Sequence, residues 1–260
     1  MSKLFDGNAR NIVRISFFMF FLIGLVTFHA PNSVRLEFAN LGSFETINHP
    51  FGCDRLGRDN FAMFAYGSLG TIIVCIPARI FTLIFASIFA FLGNIQMARY
   101  SLVTDLFSSI FLALPSLLVA LVTIAILPDS QFTIIISIVL ADWAMSYETM
   151  RGKLSEIRKS GFSSASKALG GSSLHVFVFH TIPALASTLE FLFLTGIPSV
   201  IMTIALFSYL GINTNLWDLG PGLGEQISFS KDYFNKTPVS VLLPIICVIA
   251  LVYSFGRDEK

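Results

Sequence analysis

The chain reads as an all-α integral membrane protein with six transmembrane helices, and three observations predict this. Of 260 residues, 54% are hydrophobic and only 13% are charged, against about 25% charged in a soluble domain. That is too little charge to solvate a globular surface. Six apolar stretches approach the ~20 residues needed to cross a hydrocarbon layer: 12–29, 67–92, 102–127, 132–147, 184–210 and 239–255. Each must be helical, because a lone strand in lipid leaves its backbone groups unpaired. Third, the cations are asymmetric. With the N-terminus inside, eleven of the 17 Lys and Arg fall in inner segments, five in outer segments, and Arg79 within a run. This follows the positive-inside rule and predicts cytoplasmic N- and C-termini.

The same composition narrows the function classes. A net charge of +1 gives no general pull toward nucleic acid. The scattered Cys53, Cys75 and Cys247 form neither a disulfide framework nor a zinc pattern. The four histidines include no pair at ligand spacing within a run, so no pathway metal is expected. No spacing of a catalytic pair is present, and the chain reads as non-enzymatic.

Taken in order, run 12–29 follows Arg10 and Arg14 and is either a retained helix or the apolar part of a signal peptide. The retained helix is expected, since no small-x-small cleavage pattern follows and five more runs do. His29 at its end reads as an interfacial residue. Residues 1–66 are this helix plus an outer segment, 67–255 a five-helix core, and 256–260 a cytoplasmic tail. Arg79 lies mid-run, where a charge costs at least about 2.5 kcal/mol. It either makes an ion pair or snorkels within the bundle, or it lines a pathway. Asp105 and Asp142 sit near run ends and read as structural. Glu190, in the fifth run, either pairs with a cation on a partner or faces an inner vestibule. Trp143 and Trp217 anchor at interfaces or pack. The turn-rich stretch 211–226 reads as a short re-entrant or surface loop on the outer face.

The inner loop 148–181 is unusual. Met150, Leu154 and Ile157 recur at helical spacing with charges opposite, so the fourth helix is expected to continue inward. Gly161 breaks it. Phe162, Ala165 and Leu169 then give a short helix with one apolar stripe, with Ser163 or Ser164 as its cap and Gly170-Gly171 as its end. Pro183 suits the first turn of the next run. Ala165, Ser166, Ala168 and Gly170 are small and permit close approach of another backbone. The loop is either a solvated surface or a handle gripped by a soluble partner.

Two motifs carry a family resemblance. Ser164-Ala165-Ser166, with Lys167 next, then Gly170, nine residues, and His180-Thr181-Ile182-Pro183 resembles the EAA loop of ABC importer permeases. In the outer segment, His49-Pro50-Phe51-Gly52-Cys53-Asp54-Arg55-Leu56-Gly57-Arg58-Asp59 resembles the H-P-F-G-T-D-x-L-G-R-D signature of the dipeptide/oligopeptide/nickel branch. Ala113-Leu114-Pro115-Ser116, Arg151-Gly152 and Ser208-Tyr209-Leu210-Gly211 fall in family order. The chain departs from the pattern at Ser164, where a glutamate is usual, and at Phe179, where an arginine is. It departs again at Cys53 (threonine), Ile204 (an acid) and Leu223 (a nearby tryptophan).

The resemblance implies a type I ABC importer permease fold in the bacterial inner membrane. It implies two permease subunits, usually non-identical, that line the pathway between them. Two ATPase subunits would bind the inner loops through Phe162, Ser164–Ser166, Lys167, Leu169, Gly170, His180, Ile182 and Pro183. A substrate-binding protein would deliver short peptides, nickel or another small solute from outside. ATP and Mg would belong to the ATPases, and no cofactor to this chain, which carries no G-x-x-x-x-G-K-[ST] loop. The 49–59 segment either closes over the pathway or merely fixes the entry to the second helix. Other function classes are an ion-coupled secondary transporter, which favours convergent ionisable groups on broken helices, and a membrane scaffold.

Overall fold

The computed structural model describes residues 2–26, 30–94, 98–128, 130, 132–170, 172–214 and 219–256. His29 and Trp217 lie outside them, as do the side chains of Phe162, Ser163, Ser164 and Lys167. The described residues are helical apart from connecting segments and one isolated bridge between Cys53 and Asp59. They divide into two units, residues 1–76 with 197–260 and residues 77–196.

In the first unit, α1 (Ser2–Val26) packs on α10 (Pro238–Phe255). Arg14 Nε donates to the Ser254 carbonyl at 2.5 Å. Phe17 and Phe21 are buried, and Phe17 meets Phe64 of α2 (Asn60–Asn94) edge-on at 5.9 Å. The second helix therefore starts at Asn60, ahead of the expected residue 67, because Asp59 caps it. Its carboxylate accepts from Phe61 N at 2.7 Å and Ala62 N at 3.2 Å, satisfying two orphan amides of the first turn.

The last four residues of the stretch 211–226, expected as a re-entrant or surface loop, open a helix, α9 (Leu223–Ser230), whose Leu223, Gly224, Gln226 and Ser230 are buried. Leu223 and Gln226 are nearly inaccessible. Gln226 Nε2 donates to Met63 O at 2.7 Å and to Pro221 O at 2.9 Å, tying α9 to α2. Gly224 lets α9 approach α8 (Ile182–Tyr209) so closely that a Cβ there would overlap the Ala205 carbonyl.

The second unit is built around α5 (Thr133–Lys159). Trp143, Tyr147, Met150, Leu154 and Ile157 are buried along one face, against Leu83, Ala86 and Ala90 of α2 and Leu185 and Leu192 of α8. The helical spacing read in the inner loop is therefore an inward-facing stripe, and Trp143 packs rather than anchors. Phe85, Phe89, Phe107 and Phe111 surround its indole with ring centroids 4.9–5.4 Å away.

Run 102–127 is not one helix. It is α3 (Ala98–Ala113) and α4 (Ser116–Ile126), bent by 97°. Pro115 lacks an amide hydrogen and disfavours helical backbone at Leu114, so the chain turns there. Three helical stretches, Asn60–Gly93, Phe177–Tyr209 and Pro238–Phe255, are each long and apolar enough to cross a membrane. The bent pair makes a fourth if counted as one span, and Asn11–Val26 is a shorter apolar helix.

Candidate functional site

The 49–59 segment folds into a knot of charges within the first unit. His49 Nδ1 lies 2.8 Å from Asp59 Oδ2, both side chains 4% exposed. The other oxygen of Asp59 is the one that caps α2, so one carboxylate joins the segment's start to the helix entry. Asp54 accepts from the Leu56 and Arg58 amides at 2.9 and 2.8 Å, and from Arg58 Nε and Nη2 at 2.8 and 2.7 Å. Both guanidinium nitrogens converge on Oδ2 while the amides take Oδ1, so charge-assisted bonds fix the carboxylate at both oxygens. Asn60 Nδ2 closes the loop onto the Phe51 carbonyl at 2.9 Å.

Gly52 and Gly57 have φ of +68° and +72°. A Cβ on Gly57 would overlap the Arg35 carbonyl, so both the backbone sign and the space demand glycine. Cys53 is inaccessible. Burial pushes its thiol up to about 12, the Asp59 and Asp54 charges adding to the rise and Arg35 opposing it. The knot is also bound to α9 and the turn after it. The Arg55 guanidinium sits 3.4 Å from the Phe229 ring centroid and 5.4 Å from that of Tyr233, and Arg58 is 4.9 Å from Phe229. Pro50 and Leu56 join the knot to the chain before it, the Leu56 carbonyl accepting from Arg35 N at 3.2 Å and the Pro50 carbonyl from Phe44 N at 3.0 Å.

Within the second unit, Arg79 is 2% exposed. Its guanidinium bonds Asp142 of α5, and Nε and Nη2 both donate to the Leu192 carbonyl of α8, at 3.1 and 2.5 Å. One cation thus joins α2, α5 and α8. Gly196 completes this arrangement, because a Cβ there would occupy the guanidinium's space. Sequence reading did not single out Gly196; its only signal was a small residue beside Pro198 in an apolar run.

A second polar cluster ties α3 to α5. Arg151 Nη2 donates to Asp105 Oδ2 at 2.7 Å, Tyr147 Oη to Asp105 Oδ1 at 2.8 Å, and Ser108 Oγ to Glu148 Oε1 at 2.9 Å. Both acids read as structural, Asp105 and Asp142, are therefore paired.

The stretch 160–181 follows directly on α5. Ser160 has an extended ψ of 150°, and α6 (Gly161–Ala168) starts at the next residue. Ser163 and Ser164 therefore lie inside α6 rather than capping it. The chain leaves the helix through Leu169 and Gly170, the latter at φ +86°. Ala165 and Gly170 are exposed, Ser166 is half-buried, and Leu169 presents 89% of its surface. After α7 (Ser173–Val176), Phe177–Thr181 winds as one π turn and α8 begins at Ile182. Pro183, second in α8, explains the wider turn, since it offers no amide to the carbonyl four residues earlier. His180 and Phe179 lie on this turn, Phe179 64% exposed. Ile182 is 46% exposed. Glu190 lies on α8 beside an apolar groove formed with α2. It does not join the Arg79 cluster.

The arrangement offers no group of three or more His, Cys, Asp or Glu side chains able to hold a metal among the described residues. What it offers is an exposed loop with an apolar tip at Leu169. A family model described as binding-protein-dependent transport system inner membrane component matches residues 82–257. The oligopeptide transport system permease protein OppC of Bacillus subtilis (strain 168) is 27% identical over 211 residues, covering 79% of this chain and 69% of that protein. The dipeptide transport system permease protein DppC of Alkalihalophilus pseudofirmus is 26% identical over 211 residues, 81% of this chain and 69% of that protein. The nickel transport system permease protein NikC of Escherichia coli (strain K12) is 22% identical over 263 residues, 96% of this chain and 91% of that protein.

Proposed function

We propose, for a chain that belongs to the family of binding-protein-dependent transport system inner membrane components, that it forms half of the translocation pathway of an ATP-driven importer of short peptides. It is a permease of the ABC importer type and a multi-pass protein of the bacterial inner membrane. In the proposed assembly six spans place both termini and the 148–181 loop in the cytoplasm. A second permease subunit completes the pathway, two ATPases grip the loops and bind ATP and Mg, and an extracytoplasmic binding protein delivers cargo over the 49–59 knot.

The observation that carries this reading is the inner loop. Leu169 at 89% exposure, beside an unobstructed Gly170, is an apolar point left uncovered by the described residues. It leads straight from the end of α5, so a load on α6 reaches the buried stripe of that helix. Peptide is favoured as cargo because the oligopeptide and dipeptide permeases are the more similar relatives. A second reading, nickel or another small solute, is supported by the nickel permease's alignment over 96% of this chain, which takes in the 49–59 segment.

The test is co-purification from native membranes. The chain is expected to bring down an ATPase whose hydrolysis falls when Ala165 or Gly170 is replaced by tryptophan. Transport that persists without any ATPase, driven by an ion gradient, overturns the reading. Uptake assays with dipeptides and with nickel, using the cognate binding protein, separate the two cargoes.

A further inference from the structure

Glu190 is the sole Asp, Glu, Lys or Arg of α8 and makes no hydrogen bond or ion pair with a described residue. At ~1.5 Å per residue it lies about 12 Å along the helix from Ile182 and about 28 Å from Tyr209. It borders a groove of about 490 Å³ whose other walls are apolar, Phe91 and Phe193 among them, except for Ser87, whose hydroxyl already donates to the Leu83 carbonyl. One rim is a ridge on α2: Ile80, Ile84, Ile88 and Leu92 recur every fourth residue and are 42–51% exposed. Such a row is the shape that interlocks with a second helix.

An apolar ridge alone would suit lipid. The carboxylate changes the demand, because a charge at this depth is costly unless it meets an opposite one. A peptide would bring an ammonium group, but also unpaired amides that these apolar walls cannot satisfy. A transmembrane helix bonds its own backbone and brings only side chains. A second copy of this chain would have to offer a cation from within an apolar helix. Arg14 and Arg79, the cations of its apolar helices, are engaged with Ser254 and with Asp142 and Leu192.

The geometry points to this groove as the seat of a transmembrane helix of a second, non-identical permease subunit, carrying a lysine or arginine opposite Glu190 and flanked by Phe91 and Phe193. This rests on the reading of the chain as half of a permease pair. The test uses the complete transporter in nanodiscs, with a photo-reactive benzoylphenylalanine at Ile84. The expected adduct is to a basic-residue-bearing helix of the second permease. Glu190→Lys is expected to cut retention of that subunit about ten-fold or more, with the yield and thermal stability of this chain unchanged. Replacing the partner's basic residue by glutamate is then expected to restore it. An adduct to a second copy of this chain, to lipid or to peptide overturns the inference, as does full retention by Glu190→Lys. If the native chain retains neither a second permease nor an ATPase, the functional reading itself falls; if it retains both and only the adduct is wrong, the groove assignment alone falls.

Discussion

The Arg79 guanidinium occupies the space that a side chain on Gly196 would need. Gly196→Ala is therefore expected to push the cation off the Leu192 carbonyl and strain its bond to Asp142. Removing one partner of a buried pair costs about 3–5 kcal/mol, and Arg79→Met is expected to fall in that range. Gly196→Ala should approach it. Thermal unfolding of the purified complex measures both. A Gly196→Ala protein as stable as the native one would refute the packing account.

Asp59 serves His49 and the α2 amides at once. Asp59→Ala is expected to lose about 1–2 kcal/mol from the cap alone and to free the segment ahead of α2. Limited proteolysis should then cut within residues 30–58 much faster than in the native protein, whereas His49→Ala should accelerate cleavage less.

Cys53 is inaccessible, and its thiol is raised from an ordinary 9.0 to about 12. The folded protein holds this proton more tightly than the unfolded chain. The associated stability is complete below pH 9 and is lost progressively as pH rises toward 12. Maleimide should label Cys53 slowly at pH 7–8 in the native protein and rapidly after unfolding. Cys53→Ser should flatten the alkaline loss of stability between those two values.

Gly224→Ala and Leu169→Ser should fail in opposite ways. A Cβ at residue 224 meets the Ala205 carbonyl, and overpacking of this kind costs typically about 1–3 kcal/mol; a lower unfolding temperature is the expected readout. Leu169 is 89% exposed, so Leu169→Ser should change stability by no more than about 0.5 kcal/mol. Its expected effect is weaker retention of the ATPase.

Arg151 is only half-covered against Asp105. Exposed pairs contribute about 0–1 kcal/mol, so Arg151→Ala should leave the unfolding temperature within a few degrees of native. A large drop would mean that the α3–α5 cluster is held more tightly than its exposure implies.

Much of the fold was legible before any coordinates. The apolar runs and their helical state follow from lipid chemistry, and the inward stripe of Met150, Leu154 and Ile157 follows from helical spacing. The break at Pro115 is also written in the chain, although the apolar length of 102–127 favours one unbroken helix. The start of α2 at Asn60 is hidden in the sequence, because Asp59 stands there as one more charge in a charged segment. Its role as a cap depends on where the backbone turns.

Residue types and their spacing alone determined that this chain dissolves in a bilayer, that it is helical, and which two motifs mark it, because those properties depend on transfer energies and local periodicity. Tertiary structure decided the partnerships: Arg79 with Asp142 and Gly196, Gln226 with Met63, Arg55 with Phe229. These pairs lie far apart in the chain, and a charge or a glycine acquires its meaning only from the atoms that packing places beside it. The same holds for Glu190, whose carboxylate meets no described partner within its own chain.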